Sequence, residues 1–396
     1  VIPRVLEARL RELAAKFPVV TVTGPRQSGK TTLCRAVFDD KPYVSLEAPD
    51  VRAFAHEDPR GFLGGLGEGA VLDEVQRAPE LLSYLQTEVD AHPGPRRFVL
   101  TGSANLALLQ GVSQSLAGRT ALLSLLPLGL EELRRFPDSP VELFDVLWRG
   151  SYPATFDRGL APGDWYPSYV GTYLERDVRA LLNVGDLLAF QAFLRLCAGR
   201  AGQLVNLSAL GADAGVTHGT ARAWLSVLEA GYVVWRLPPL HANLGKRLVK
   251  TPKLHFLDSG LVCWLLGIQS AAQLREHPLR GAVFETWVAS EVLKARLHRG
   301  LPASLCFYRD RAGAEVDLVV ELARSYLAVE TKSAQTVAED FFAGLRAFSA
   351  AAGGDPRGPT VEPLVVYGGS ERQRRSMATV LPWSAIDTRP WWDASA

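Results

Sequence analysis

Cysteine is scarce in this chain: four residues in 396, Cys34, Cys197, Cys263 and Cys306, too far apart for any metal-ligand spacing. They read as small apolar residues of a reducing cytoplasm, and no zinc site is expected. No run approaches the ~18 apolar residues that a membrane span needs. Val1–Lys16 reads as an amphipathic helix with scattered charge, not as a signal peptide. Internal repeats and low-complexity linkers are also missing. Net charge is only +1, which argues neither for nor against nucleic acid. What is present is ordinary globular composition, 47% hydrophobic and 21% charged, in a chain long enough for two or three domains.

Residues 18–23 (PVVTVT) form an apolar, β-branched run followed by a glycine turn and a helix from about Lys30. Further strand patterns occur at Tyr43–Leu46, Ala70–Leu72, Phe98–Thr101 and Thr120–Leu125, with helical stretches between them. This alternation predicts a parallel sheet covered on both faces. Residues 137–199 read as mostly helical, and a second α/β pattern begins near 250, with strands near Ala314–Val320 and Tyr326–Thr331.

The first strand runs into Gly24-Pro-Arg-Gln27-Ser28-Gly29-Lys30-Thr31, a G-x-x-x-x-G-K-[ST] match in the required strand-turn-helix context. Its glycines let backbone N–H groups curl around phosphates, Lys30 adds a point charge, and Thr31 offers a hydroxyl to Mg²⁺. Gln27, Ser28 and Thr32 complete the expected ATP-binding set. The strand Ala70-Val-Leu-Asp73-Glu74 ends in two acids. Asp73 is expected to hold Mg²⁺ and Glu74 to polarise the attacking water. Phe98-Val-Leu-Thr-Gly-Ser103 is a strand with a small polar tip. Such a strand lies between the other two in P-loop ATPases of this kind, and Ser103 would sense the γ-phosphate, with Thr101 and Asn105 as alternatives. Arg119, in Ser115-Leu-Ala-Gly-Arg119, is either a solvated arginine or a finger reaching across a subunit boundary.

GPRQSGKTTL, LDEVQRAP, FVLTGSAN and SLAGR, in this order, resemble bacterial and archaeal AAA+-type ATPases whose C-terminal half is a domain of unknown function. Gly150-Ser-Tyr-Pro153, Tyr173-Leu-Glu-Arg-Asp177, Leu257-Asp-Ser-Gly260 and Gly281-Ala-Val-Phe-Glu285 extend the resemblance over nearly the whole chain. It implies an AAA+ core, a winged-helix segment, a restriction-endonuclease-like C-terminal domain, and self-assembly into rings such as hexamers.

Residues 200–253 hold seven basic and two acidic side chains, an excess of +5. A short helix from Leu207, Thr217 as an N-cap, and Ala221, Trp224, Leu225 and Leu228 on one helical face precede the strand Tyr232–Arg236. Helix, turn, helix and strand suggest a winged helix-turn-helix. Arg222 on its polar face, with Lys246, Arg247, Lys250 and Lys253 beyond, could grip DNA phosphates. Winged helices also serve as protein-packing modules or as a lid.

Farther on, Glu285 lies on an apolar helix, Asp317 in the strand Glu315–Val320, and Glu330-Thr-Lys332 on the next strand. Acid on helix, acid on strand, then Glu-x-Lys resembles the PD-(D/E)xK nuclease core. Asp317 and Glu330 would bind Mg²⁺ with Glu285 in support, and Lys332 would orient water or steady the phosphate. His56, His241 and His255 form no ligand spacing.

The expected fold class is α/β. A P-loop AAA+ core with a parallel sheet spans 1–136, a helical lid or connector 137–199, a winged helix-turn-helix 200–250, and an α/β restriction-endonuclease-like domain 251–396. The expected function is that of a cytoplasmic ATPase, with ATP and Mg²⁺ as cofactors. It would bind duplex or branched DNA and remodel or translocate it, branch migration included, as a homo-oligomer away from any membrane. The alternatives are an ATP-regulated, Mg²⁺-dependent DNA nuclease and a nucleotide switch that assembles with protein partners without DNA chemistry.

Overall fold

In a computed structural model the chain divides into two compact units. The structure describes residues 2–95, 97–103, 112, 114–174, 186–240, 249–353 and 358–393. Asn105, residues 175–177 of the Tyr173 motif, His241, Lys246 and Arg247 lie outside the described residues.

The first unit comprises Val1–Pro127 with the short segments Ala230–Tyr232 and Leu297–Leu301. Five parallel strands, β1 (Val19–Gly24), β2 (Tyr43–Ser45), β3 (Val71–Asp73), β4 (Phe98–Ser103) and β5 (Thr120–Ser124), are ordered β2-β3-β4-β1-β5. The strand with the small polar tip, β4, therefore pairs with both β1 and β3, as expected. Side chains alternate between the two faces with a period of two. Val20, Val22, Val71 and Val99 pack with Leu6, Leu10 and Leu33 on one face. Val19, Leu72, Phe98 and Leu100 pack with Phe62, Leu81 and Leu85 on the other. Both faces are thus covered, which is why β1 is buried along its whole length and reads as a continuous apolar run.

The second unit comprises Leu128–Glu229, Val233–Arg296 and Pro302–Ala396. It contains a helical stretch, Leu143–Arg149 to Leu187–Gly199, then two short helices, Leu207–Asp213 and His218–Ala230. Asn206 caps the first through Ala209 N at 3.0 Å, and Thr217 caps the second through Thr220 N at 3.1 Å. Ala221, Trp224, Leu225 and Leu228 are buried, as their spacing predicts. β6 (Val234–Leu237) and β7 (Lys253–Phe256) follow as an antiparallel pair. The last part is a mixed six-stranded sheet of β8 (Leu305–Arg309), β9 (Glu315–Glu321), β10 (Ser325–Lys332), β11 (Thr360–Tyr367), β12 (Gln373–Arg374) and β13 (Thr379–Pro382). Its order is β12-β13-β11-β10-β9-β8, with the helix Ala343–Ala352 packed on it through Leu345 and Phe348.

Candidate functional site

The P-loop begins at the C-terminal end of β1. Gly24 has φ 150°, and a Cβ there would stand 2.1 Å from the carbonyl oxygen of Leu125, so no other residue fits. Gln27 (φ 63°) and Gly29 (φ 93°) take left-handed conformations that curl the loop into the helix Lys30–Val37. Arg4, absent from the sequence-based expectations, supports this loop. Its guanidinium donates to Ser28 O at 2.7 Å and Leu126 O at 2.9 Å and is almost fully buried. Lys30 Nζ donates to Gly24 O and Pro25 O, at 3.1 and 2.7 Å. Burial pulls its pKa down to about 8, against the attraction of Glu74 and Asp73. Ser28 Oγ is buried with no hydrogen-bond partner among the described residues, which suits an acceptor such as a phosphate oxygen. Thr32 is exposed on the first turn of the helix.

Asp73 ends β3 and accepts from three hydroxyls. Thr31 Oγ1 lies 3.1 and 3.0 Å from its two oxygens, Tyr43 OH lies at 2.6 Å, and Thr101 Oγ1 is the third donor. Thr31 and Asp73 thereby form an all-oxygen donor set of the kind a hard divalent cation takes. Tyr43 was missed by the sequence reading because it sits in an edge strand and belongs to no motif. Burial and then the Asp73 contact push its hydroxyl pKa up to about 12.

Glu74 follows in a left-handed conformation, φ 57°. Burial raises its pKa above the ordinary value, while Lys30 and Arg26 oppose the rise. Gln76 Nε2 donates both to Glu74 and, at 2.9 Å, to Ser103 Oγ. One amide thus links the acid after β3 to the tip of β4. Gln76 was also missed, although it lies in the same LDEVQRAP run.

Arg119 is not part of this cluster. Its carbonyl accepts from Val19 N at the start of β1, whereas the P-loop leaves the far end of that strand, about 16 Å away at ~3.3 Å per residue. Its guanidinium forks onto Asp90 at 2.6 and 2.8 Å.

In the second unit Glu285, Asp317, Glu330 and Lys332 lie near one another, with Lys253 among them. Lys253 Nζ lies 2.8 Å from Glu285, 2.5 Å from Glu315 and 3.7 Å from Asp317. Thr331 donates its N–H and its hydroxyl to Asp317, each at 2.8 Å, and Lys332 donates to Glu330 at 2.6 Å. Burial pushes Glu285 and Glu330 up to about 8 each, reinforced by the Asp317 charge. The Mg²⁺ site expected at Asp317 and Glu330 does not fit this arrangement. An ammonium already stands among the carboxylates. Among the described residues no three His, Cys, Asp or Glu side chains are placed to hold a metal ion.

The same finding changes the reading of one residue of the basic segment. Lys253 is 2% exposed and cannot reach a phosphate. Arg200 pairs with Asp213, and Arg236 with Glu229. Arg222 and Lys250 are exposed. The Gly150–Pro153 and Leu257–Gly260 motifs form a buried hub. Asp258 accepts from Ser151 N and Oγ at 2.6 and 2.9 Å, Tyr166 OH at 2.6 Å and Leu261 N at 2.7 Å. All of its donors are protein groups that hold the helices together, so the hub is structural.

A family model described as an AAA domain matches residues 16–134. Domains of unknown function, DUF8612 and DUF4143, match 141–272 and 280–386. Among solved structures the chain is similar to the Walker-type ATPase PABY2304 of Pyrococcus abyssi, with 17% identity, 66% of this chain and 94% of that chain covered, and a TM-score of 0.42. It is also similar to a RuvB variant of Thermotoga maritima, with 20% identity, 59% and 86% covered, and a TM-score of 0.31. Two mycobacterial relatives, the uncharacterized proteins Mb2031c of Mycobacterium bovis and Rv2008c of Mycobacterium tuberculosis, are each 36% identical over 333 residues, 83% of this chain and 73% of theirs. The chain belongs to the family of these two mycobacterial proteins, and its N-terminal region is an AAA-type P-loop ATPase domain.

Proposed function

We propose that this protein is a self-assembling ATPase that uses hydrolysis to remodel or translocate duplex or branched DNA. The observation that carries the ATPase part is the convergence of Lys30, Thr31, Asp73, Glu74 and Ser103 at one edge of a parallel sheet. Ser28 and the loop N–H groups bind phosphate oxygens, and Lys30 supplies positive charge beside them. Thr31 and Asp73 hold Mg²⁺, which when bound neutralises charge on the phosphates. Glu74 orients and polarises the attacking water, and Ser103 reports on the γ-phosphate through Gln76. Arg119 acts on a neighbouring copy.

The DNA part is supported by the capped helix pair and the antiparallel β6–β7 strands, with Arg222 and Lys250 exposed to meet phosphates. A second reading, a nucleotide switch for protein partners, is favoured by the engagement of Arg200, Arg236 and Lys253 within the protein. The deciding experiment measures ATPase rate without DNA, with duplex and with four-way junction DNA, for wild type, Glu74→Gln and the Arg222→Ala/Lys250→Ala double variant. The DNA reading expects stimulation that fades with salt and is weakened in the double variant. A rate indifferent to DNA in all three conditions removes that reading and leaves the switch.

A further inference from the structure

The carboxylate cluster of the C-terminal sheet has the residue types of a metal-dependent phosphodiesterase site, yet its centre holds a lysine. Lys253 lies in β7, whose backbone is fixed by pairing with β6 and by a bridge to Leu204. Its side chain is 3% exposed, crosses near the Phe307 ring (5.5 Å) and ends between Glu285, Glu315 and Asp317. An ammonium has three N–H donors, and here three carboxylates surround it. Beside it, Lys332 donates to Glu330 at 2.6 Å, and Arg309 approaches Glu315 at 3.2 Å.

A divalent ion needs several oxygens at ~2.0–2.6 Å. Within this cluster it would have to share Glu285 and Asp317 with a fixed positive charge. Moving Lys253 aside would leave a buried ammonium without its partners, which is strongly unfavourable. His255, fully buried on the same strand, points Nε2 toward Glu285 at 4.0 Å with no hydrogen-bond partner among the described residues. Its pKa is lowered to about 3 by burial and by Lys253, so it adds no competing charge.

We infer that Lys253 is the resident cation of this cluster: its ammonium takes the place of a divalent metal, so the site is a lysine-closed ion cluster that ties β7 to β9 and the helix Arg280–Leu297 and does not cut DNA. The functional consequence is that the second unit holds its fold without metal. Removing the lysine, not adding metal, is what would open a cation site.

The test uses the full chain carrying Asp73→Asn, so that the ATP-site acid does not contribute, and follows Mn²⁺ uptake by the loss of its free electron paramagnetic resonance signal. With Lys253 in place, no uptake dependent on Asp317 is expected. In Lys253→Met, one site per chain should appear, and adding Asp317→Asn should abolish it. Mn²⁺ uptake by the Lys253-containing protein that Asp317→Asn removes would overturn the inference, and this arm decides even if Lys253→Met fails to fold. A folded Lys253→Met protein that takes up no Mn²⁺ would overturn it equally.

Discussion

Tyr43 OH donates to the carboxylate of Asp73 at 2.6 Å, so the acid that ends β3 is oriented from the neighbouring edge strand as well as from the P-loop helix. Without that hydroxyl, Asp73 keeps Thr31 and Thr101 but is free to rotate toward β2. Tyr43→Phe should therefore lower ATPase kcat by about tenfold, equivalent to ~1.4 kcal/mol, while nucleotide affinity in the absence of Mg²⁺ stays unchanged. Steady-state kinetics beside nucleotide titration in EDTA separates the two. An equal loss in both would mean that Tyr43 supports the P-loop as a whole.

Gln76 makes a different kind of contact, since its amide donates to the group proposed as the catalytic base. Donation to a carboxylate favours the ionised form, while burial disfavours it. Removing Gln76 should raise the Glu74 pKa further, so activity that needs ionised Glu74 is lost at higher pH. The acid limb of the kcat–pH profile should move upward in Gln76→Ala, with KM little changed. A uniform drop in kcat with an unmoved limb would show that Gln76 matters only for packing.

The extent to which this site can be read from sequence follows the range of its interactions. Gly24, Lys30, Thr31, Asp73 and Glu74 sit in local patterns whose chemistry is tied to a strand end or a helix start, and spacing alone places them. The apolar runs of a buried parallel sheet marked the strands β1, β3 and β4 themselves, and the place of β4 between the other two came from the likeness to P-loop ATPases. Tyr43 and Arg4 were not, because each reaches the site from an element with no motif. Lys253 was misread for a related reason. A lysine next to other basic residues looks like surface charge, and only the fold reveals that Glu285, Glu315 and Asp317, all more than 30 residues away, close around it.

The same burial gives the second unit a pH signature. Glu330 has a folded pKa of about 8 against 4.5 for the free side chain, raised mainly by burial. A carboxyl whose pKa rises on folding binds its proton more tightly in the folded chain. Its contribution is fully present below about 4.5 and is lost as pH climbs through about 8. Glu330→Gln keeps the neutral shape without the titration. Its urea midpoint should fall less steeply than wild type between pH 5 and pH 8, with Glu285 accounting for the remaining slope. Parallel curves would place the proton elsewhere.

Arg119 offers the sharpest test of assembly. It lies beside the start of β1, at the opposite end of that strand from its own P-loop, so the contact proposed for it is with a nucleotide bound by another copy. Asp90 holds the guanidinium in a fork that leaves it 32% exposed. Arg119→Ala alone should reduce ATPase activity about as far as losing one transition-state charge contact, roughly 10³-fold or more. Glu74→Gln alone should also be nearly inactive. In a mixture, an Arg119→Ala copy with an intact Glu74 can face a Glu74→Gln copy with an intact Arg119, which restores one complete site at that boundary. Activity should therefore pass through a maximum near equal proportions. If the mixed sample shows only the sum of its inactive parts across all ratios, Arg119 does not act between copies, and its pairing with Asp90 is its whole role.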